Sequence, residues 1–328
     1  MVQVFVAAQF FAKGLDFFRD WSHARYDEWI ELYRQPVLIY NPYAGKIRRN
    51  PGTLQRTTAA LARVNVNPRV VATDAAGHAT LLARQAAEQG ADLVLVLGGD
   101  GTVNEVVNGL AYSDAALGVL PAGTANVLAM ELGLGSHVDR ATERLSRYSP
   151  RRIALGRLTG ADGVSRYFLC MAGAGLDAKV VHQIDSVLKD RAGKLAYWAA
   201  GLAQIAQRLD PLEVRVQGQT YRCGFLLASR VRNYGGDLEI ASGSSLRRPD
   251  FELVLFEGSN VLRYAAYMLG VLLRRVQSMS GVLTMATSCA EILSPTHLQI
   301  DGEYAGYQTA RLEIAADALT LLMPPEYG

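Results

Sequence analysis

The sequence predicts an N-terminal doubly wound parallel α/β domain followed by a C-terminal β-rich, antiparallel domain. Between Pro36 and Leu120, apolar runs at 36–40, 68–73, 93–97 and 117–120 alternate with helical stretches near 53–64, 78–90 and 103–111. That rhythm builds a parallel sheet covered on both faces. After Pro150 the pattern changes to short strand-like runs at 151–158, 164–171, 212–217, 220–228, 251–257, 282–292 and 311–315, with turns between them, as in antiparallel sheets. A chain of 328 residues, 50% hydrophobic and 20% charged, is long enough for two domains with sizeable cores. We set the boundaries at 1–34 for a leader, 35–150 for the α/β domain and 151–328 for the β-rich domain. A last strand near 318–323 is positioned to return to the first domain.

The leader is crowded with aromatic residues, from Phe5, Phe10 and Phe11 to Trp29 and Tyr33. Its apolar positions fall at 11, 15, 18, 26, 29 and 33, while Asp16, Asp20, His23, Asp27, Glu31 and Arg34 line the other side, which predicts an amphipathic helix. Such a helix anchors at an interface, packs on the body, or pairs subunits into a homo-oligomer. Its acidic face argues against anionic membranes.

The run Leu93 to Leu97 fits a strand buried on both faces. It ends on Gly98-Gly99-Asp100-Gly101-Thr102 and leads straight into Val103-Asn104-Glu105. Glycines here remove Cβ atoms, so that backbone N–H groups can approach an anion closely. Thr102 is placed to cap the helix that follows, whose positive end would face a polyphosphate, and Asp100 to reach a Mg²⁺ carried by a nucleotide. The same residues also fit a tight strand-to-helix connection with no ligand. The chain has no G-x-x-x-x-G-K-[ST] run and no suitably placed G-x-G-x-x-G. Ligands of open parallel sheets sit beyond the carboxyl ends of the strands, where Asn41, Thr73, Gly98 and Pro121 all arrive.

Two helices interrupt the second region. The stretch 193–209 carries Leu195, Trp198, Leu202, Ile205 and Leu209, and 261–276 carries Leu262, Ala265, Leu269, Leu272 and Val276. Both stripes are expected to face the core. Further on, Asp301-Gly302-Glu303 would put both carboxylates on one face if extended. Two like charges that close would raise at least one pKa, favouring a general base that works near neutrality. The other reading is an acidic turn at the surface.

A formal charge of +2, from 33 Lys+Arg against 31 Asp+Glu, gives no case for nucleic acid. Local basic clusters stand at Arg144, Arg147, Arg151 and Arg152, at Arg247 and Arg248, and at Arg263, Arg274 and Arg275. They are read as solvated faces or contacts to anionic headgroups. Cys170, Cys223 and Cys289 lack metal spacing and read as reduced core residues. No window reaches the ~18 to 20 uncharged apolar residues of a membrane span, and the leader lacks the build of a signal peptide. A cytoplasmic protein is therefore expected, with peripheral association at the inner membrane face left open.

Asn41-Pro42-Tyr43-Ala44-Gly45-Lys46, Thr73 through Gly77-His78-Ala79, the GGDGT-x-N-E block and Pro121-Ala122-Gly123-Thr124-Ala125-Asn126 stand in the order seen in the diacylglycerol kinase catalytic-domain family. That family includes bacterial lipid kinases and sphingosine kinases. Gly173 to Ala178, Lys194 to Tyr197, Gly235-Gly236 and Leu298 to Glu303 extend the resemblance over roughly residues 36–325. It implies a C-terminal β-sandwich, an active site in the interdomain cleft, and ATP- and Mg²⁺-dependent phosphoryl transfer to a hydroxyl of a diacylglycerol-like or sphingoid-like lipid at a membrane surface. It also implies that the Asn41–Lys46 loop (Asn41, Pro42, Gly45, Lys46), Thr73, Gly77, His78, Gly98 to Thr102 (with Gly99, Asp100 and Gly101), Asn104, Glu105, Gly123, Thr124 and Asn126 form the ATP pocket. Glu303 is the first candidate base, Asp301 the second, and Asp100 the natural metal partner, although in sphingosine kinases the equivalent residue has been assigned the base role.

Some positions depart from the resemblance. Relatives commonly carry an Asp-Gly pair associated with a structural Mg²⁺ where this chain has Pro249-Asp250-Phe251. Asp250 is then a metal candidate in a loop that phenylalanine alters. The usual proline near Ile240 is replaced by Ala241-Ser242-Gly243. The alternatives to a lipid kinase are a kinase of a soluble substrate, as in the NAD kinases that share the GGDGT turn, and a catalytically silent nucleotide- or lipid-binding regulator. The Asn104-Glu105 continuation and Asp301-Gly302-Glu303 favour the lipid branch.

Overall fold

The structure is a computed structural model and describes residues 33–183, 211–235, 238–258 and 260–327. Nearly all of the expected leader helix, and the helix expected at 193–209, lie outside the described residues.

The first half alternates as its sequence dictates. Strand β1 (Pro36–Tyr40) leads to helices α1 (Gly45–Arg49) and α2 (Thr53–Arg63), β2 (Arg69–Ala72), α3 (His78–Glu88), β3 (Leu93–Gly98), α4 (Asp100–Leu110) and β4 (Ala116–Pro121), then α5 (Val127–Glu131) and α6 (Val138–Leu145). The strands pair in parallel in the order β2-β1-β3-β4. Leu93 to Leu97 are each fully buried, as a strand covered on both faces requires. Because β1 and β3 are neighbours although β2 lies between them in sequence, the loops after them leave in opposite directions and open a crevice. Gly109 lets α4 close on α3, since a Cβ there would lie 2.4 Å from the Thr80 carbonyl oxygen.

The second half contains β5 (Ser149–Gly160), β6 (Ser165–Phe168), β7 (Met171–Gly175), α7 (Leu176–Gln183), β8 (Leu212–Val216), β9 (Gln219–Cys223), β10 (Phe225–Ser229), β11 (Asn233–Tyr234) and β12 (Leu238–Glu239). It ends with β13 (Phe251–Phe256), α8 (Val261–Leu272), β14 (Val282–Thr287), β15 (Cys289–Ile300) and β16 (Glu303–Met323). These strands enclose a second apolar cluster that includes Phe168, Leu226, Phe251, Ile292 and Ile300.

Three expected runs are broken in two, and the breaks are informative. The run 164–171 stops at Leu169-Cys170, whose N–H groups turn to the Asp301 carboxylate. The run 220–228 stops at Gly224, where a Cβ would meet the Gly258 carbonyl oxygen and the Tyr264 hydroxyl, each at 2.6 Å. The run 282–292 breaks between Thr287 and Cys289.

Conversely, the runs at 311–315 and 318–323 belong to one strand of 21 residues, β16. It pairs with β15 and β5, and then in parallel with β4 through Thr320 and Leu321. Asp317, at φ 46°, sits in the register shift between Ala315 and Leu319 that bends it. Parallel and antiparallel strands thus join in one hydrogen-bonded sheet of 14 strands.

Helix α8 reverses its expected orientation, although Val276, read in the same stripe and lying beyond the end of the helix, is buried as expected. Leu262, Leu269 and Leu272, read as core, are 77%, 57% and 61% exposed. Tyr264, Tyr267 and Val271 are buried instead. The Tyr264 hydroxyl donates to the Phe256 carbonyl at 3.1 Å and the Tyr267 hydroxyl to the Gly281 carbonyl at 3.1 Å, so the polar tips of these rings reach partners that leucine could not satisfy.

Candidate active site

At the carboxyl ends of β3 and β4 two glycine turns touch. A Cβ on Gly123 would lie 2.5 Å from the Gly99 Cα, so neither turn tolerates a side chain at the contact. Helix α4 starts at Asp100 with Gly99 as its cap and no side-chain capping bond. The N–H groups of its first turn have no intrahelical partner, and Gly99, Asp100, Gly101 and Thr102 line a cavity of about 540 Å³. The sequence places Thr102 to cap the helix, but it does not do so. It sits inside the first turn, is buried, and its hydroxyl accepts from Asn41 Nδ2 at 3.2 Å, tying the β1 loop to the β3 loop across the crevice.

Asp100 links this turn to the next. Its Oδ1 accepts from the Val127 N–H at 2.7 Å. The preceding Asn126, at φ 50°, holds its own loop closed by accepting from the Gly123 N–H at 2.8 Å and donating to the Gly123 carbonyl at 2.9 Å. Burial pushes the Asp100 carboxyl up to about 6, against the pull of main-chain donors and with a further push from the charge of Asp301.

Asp301 and Glu303 do not lie on one extended face. Ile300 pairs with Glu303, and Asp301 and Gly302 between them have φ 47° and 83°. This is the two-residue hairpin turn that Asp-Gly favours, with both central residues left-handed. The turn separates the two carboxylates.

Asp301 is buried and accepts four hydrogen bonds, from the N–H groups of Leu169 (2.9 Å), Cys170 (2.9 Å) and Met171 (2.8 Å) and from Asn104 Nδ2 (2.8 Å). Burial raises its pKa while these donors lower it. These four bonds fix the hairpin on α4. Removing the carboxylate in Asp301→Ala would leave those donors buried without their acceptor, so a loss of about 3 kcal/mol is expected in denaturant titration.

Glu303 is exposed and faces the glycine turn. A Cβ built on Gly101 would lie 2.6 Å from Glu303 Oε1, so residues 98–102 and 301–303 meet.

The cavity brings together Asn41, Gly45, Thr73, Gly99, Asp100, Gly101, Thr102, Glu105, Gly123, Thr124, Asp301 and Glu303. Other expected site residues brace its wall. Lys46 Nζ donates to the carbonyls of Ser136 and, at 3.5 Å, Pro121, and burial, then Arg49, lowers its pKa. Pro42 and Gly98 stand outside the lining, where Gly98 is needed because a Cβ would lie 2.7 Å from Thr102 Cβ. His78 turns to Asp74. Although Glu105 lines the cavity, its carboxylate accepts from the N–H groups of Gly77 (2.8 Å) and Ala79 (3.0 Å) and so caps α3. Asn104 bridges the Tyr167 carbonyl and Asp301. The sequence reading missed an apolar end formed by Leu128, Leu169, Met171, Val181 and Tyr234, which no motif marks.

Asp250 does not fit a metal site. Its carboxylate pairs with Arg248 Nη2 at 2.5 Å. The carbonyls of Leu246, Arg248 and Asp250 accept from the fully buried Arg230 guanidinium at 3.2, 3.2 and 2.9 Å, whose pKa burial lowers to about 10. This loop therefore carries its own cation. Among the described residues no group of three or more His, Cys, Asp or Glu is placed to hold a metal. Arg230→Met should destabilise the fold by about 3 kcal/mol, whereas chelators should leave its thermal midpoint unmoved.

A mixed sheet with two touching glycine turns at its switch point, faced by an exposed carboxylate, defines an α/β protein whose cavity lies where open sheets take their ligands. Residues 35–158 match the family model of the diacylglycerol kinase catalytic domain. The chain is 29% identical over 300 residues to the diacylglycerol kinase of Bacillus subtilis (strain 168), covering 88% of this chain and 96% of that one. It is 28% identical over 282 residues to that of Staphylococcus aureus (strain MRSA252), covering 84% and 88%. A crystal structure of a diacylglycerol kinase from Bacillus anthracis str. Sterne superposes with a TM-score of 0.72 at 20% identity, covering 89% of this chain and 98% of that one. Residues 35–158 thus resemble the diacylglycerol kinase catalytic domain, and the chain is similar to bacterial diacylglycerol kinases over most of its length. No helix among the described residues is long and apolar enough to cross a membrane.

Proposed function

We propose that the protein transfers the γ-phosphoryl group of ATP to a hydroxyl of a diacylglycerol-like lipid. The contact of Glu303 with Gly101 carries this reading, because it sets a carboxylate beside the turn whose N–H groups would hold the phosphates. The first turn of α4, with the glycines at 99 and 101, would bind the polyphosphate. Asp100 is the carboxylate suited to hold Mg²⁺, which neutralises phosphate charge when bound. Glu303 takes the proton of the acceptor hydroxyl as its oxygen bonds to phosphorus and the β–γ bridging oxygen leaves with ADP. The apolar end of the cavity suits an acyl chain.

The test is purified protein with Mg-ATP labelled at the γ position and a panel of diacylglycerol, monoacylglycerol, sphingosine and NAD. Labelled phospholipid from an acylglycerol is expected. Transfer to NAD alone, or to no member, would contradict the proposal.

A further inference from the structure

Helix α8 is apolar on both faces, yet only one is packed. Its inner face is pinned by the buried Tyr264, Tyr267 and Val271 and by close packing at Gly270, where a Cβ would lie 2.2 Å from Met279 Sδ. At 100° per residue Leu262, Ala266, Leu269 and Leu273 form one outward stripe, with Leu272 beside it. These leucines are 57% to 77% exposed. A helix hydrophobic all round is ordinarily covered on all sides, and a contiguous exposed apolar stripe marks an interaction surface.

The charges flanking the stripe indicate what covers it. Arg274 and Arg275 follow its C-terminus, are exposed and have no ion-pair partner among the described residues, while Arg263 lies near Glu257 at 3.8 Å. An apolar stripe with free guanidinium groups at its end matches acyl chains beneath anionic headgroups. The helix also touches β12, the partner of β11, and Tyr234 of β11 lines the cavity. A bilayer bound to α8 would therefore lie beside the apolar end of the site.

We propose that α8 is an interfacial helix that docks the protein on an anionic phospholipid bilayer. The inference deepens the lipid-kinase reading by stating how the substrate is reached, but its test is separate. In co-sedimentation with vesicles of phosphatidylcholine and phosphatidylglycerol, the full chain should pellet, Leu269→Glu/Leu272→Glu should lose at least tenfold in affinity, and Arg274→Glu/Arg275→Glu should lose its preference for anionic vesicles. Transfer to a short-chain, water-soluble diacylglycerol should be unchanged in both variants, whose exposed substitutions leave the packed tyrosine face intact. Vesicle binding by Leu269→Glu/Leu272→Glu equal to that of the unaltered chain would overturn the inference. So would a dimer of the unaltered chain that this variant dissolves without loss of vesicle binding, which would make the stripe a contact between copies. Absence of transfer to every lipid, with vesicle binding lost in the variant, would refute the kinase reading and leave the docking surface standing.

Discussion

Glu303→Gln is expected to lower kcat by about 10² to 10⁴-fold while leaving nucleotide affinity within about twofold, the loss associated with removing a general base. The amide keeps the shape of the side chain and its approach to Gly101 but cannot take a proton. Because Glu303 is exposed, stability should change by no more than about 0.5 kcal/mol, so steady-state kinetics would read chemistry and not folding. A fall in affinity with kcat retained would instead assign Glu303 to binding. Gly101→Ala is the companion variant. It drives a methyl group into Glu303 Oε1 and should depress kcat with the carboxylate still present.

Asp100→Asn is expected to cost at least about 10²-fold in activity and to abolish the Mg²⁺ dependence of nucleotide binding, while stabilising the fold. Burial raises the Asp100 carboxyl from 3.8 to about 6, so the folded state holds this proton more tightly than the unfolded chain. Its contribution to stability is present below pH 3.8 and is lost as pH rises through about 6. At pH 7 the ionised group is therefore destabilising, by about 3 kcal/mol. The amide removes that cost and retains an oxygen for the Val127 N–H. Denaturant titration at pH 7 and pH 4 should show the gain only at pH 7. In the unaltered protein, protonation competes with a cation for the carboxylate, so apparent affinity for the Mg-nucleotide should weaken about fivefold between pH 6 and pH 5. Affinity flat across that range, with no gain of stability in Asp100→Asn, would remove Asp100 from the metal site.

The parallel half was legible because its elements have local causes: apolar runs, five residues long in β1 and β3, helical periodicity, and glycines at the turns. Less was legible where partners are distant in sequence. In its tripeptide Asp301 reads as a candidate general base, but its surroundings are set by Asn104, 197 residues away, and by the N–H groups of 169–171. The Asp-Gly pair was itself a hairpin signal, and reading it as extended misplaced the two carboxylates. For α8 the period was right and the face wrong, since both faces are apolar and only the hydroxyls of Tyr264 and Tyr267 distinguish them. Lys46 and Glu105 sit in motif positions yet are consumed by carbonyls and by a helix terminus, contacts that spacing does not encode. Arg230 gave no signal at all, because a buried guanidinium clamped by three carbonyls looks in sequence like any surface arginine.

Phosphoryl transfer at this site needs the phosphates to lie against the α4 turn within reach of Glu303. A crystal structure with Mg²⁺ and a non-hydrolysable ATP analogue tests this most directly. The triphosphate should lie on the main-chain N–H groups of residues 99–102, with its terminal phosphate toward Glu303. A nucleotide bound elsewhere, or one whose terminal phosphate points away from the 301–303 hairpin, would contradict it.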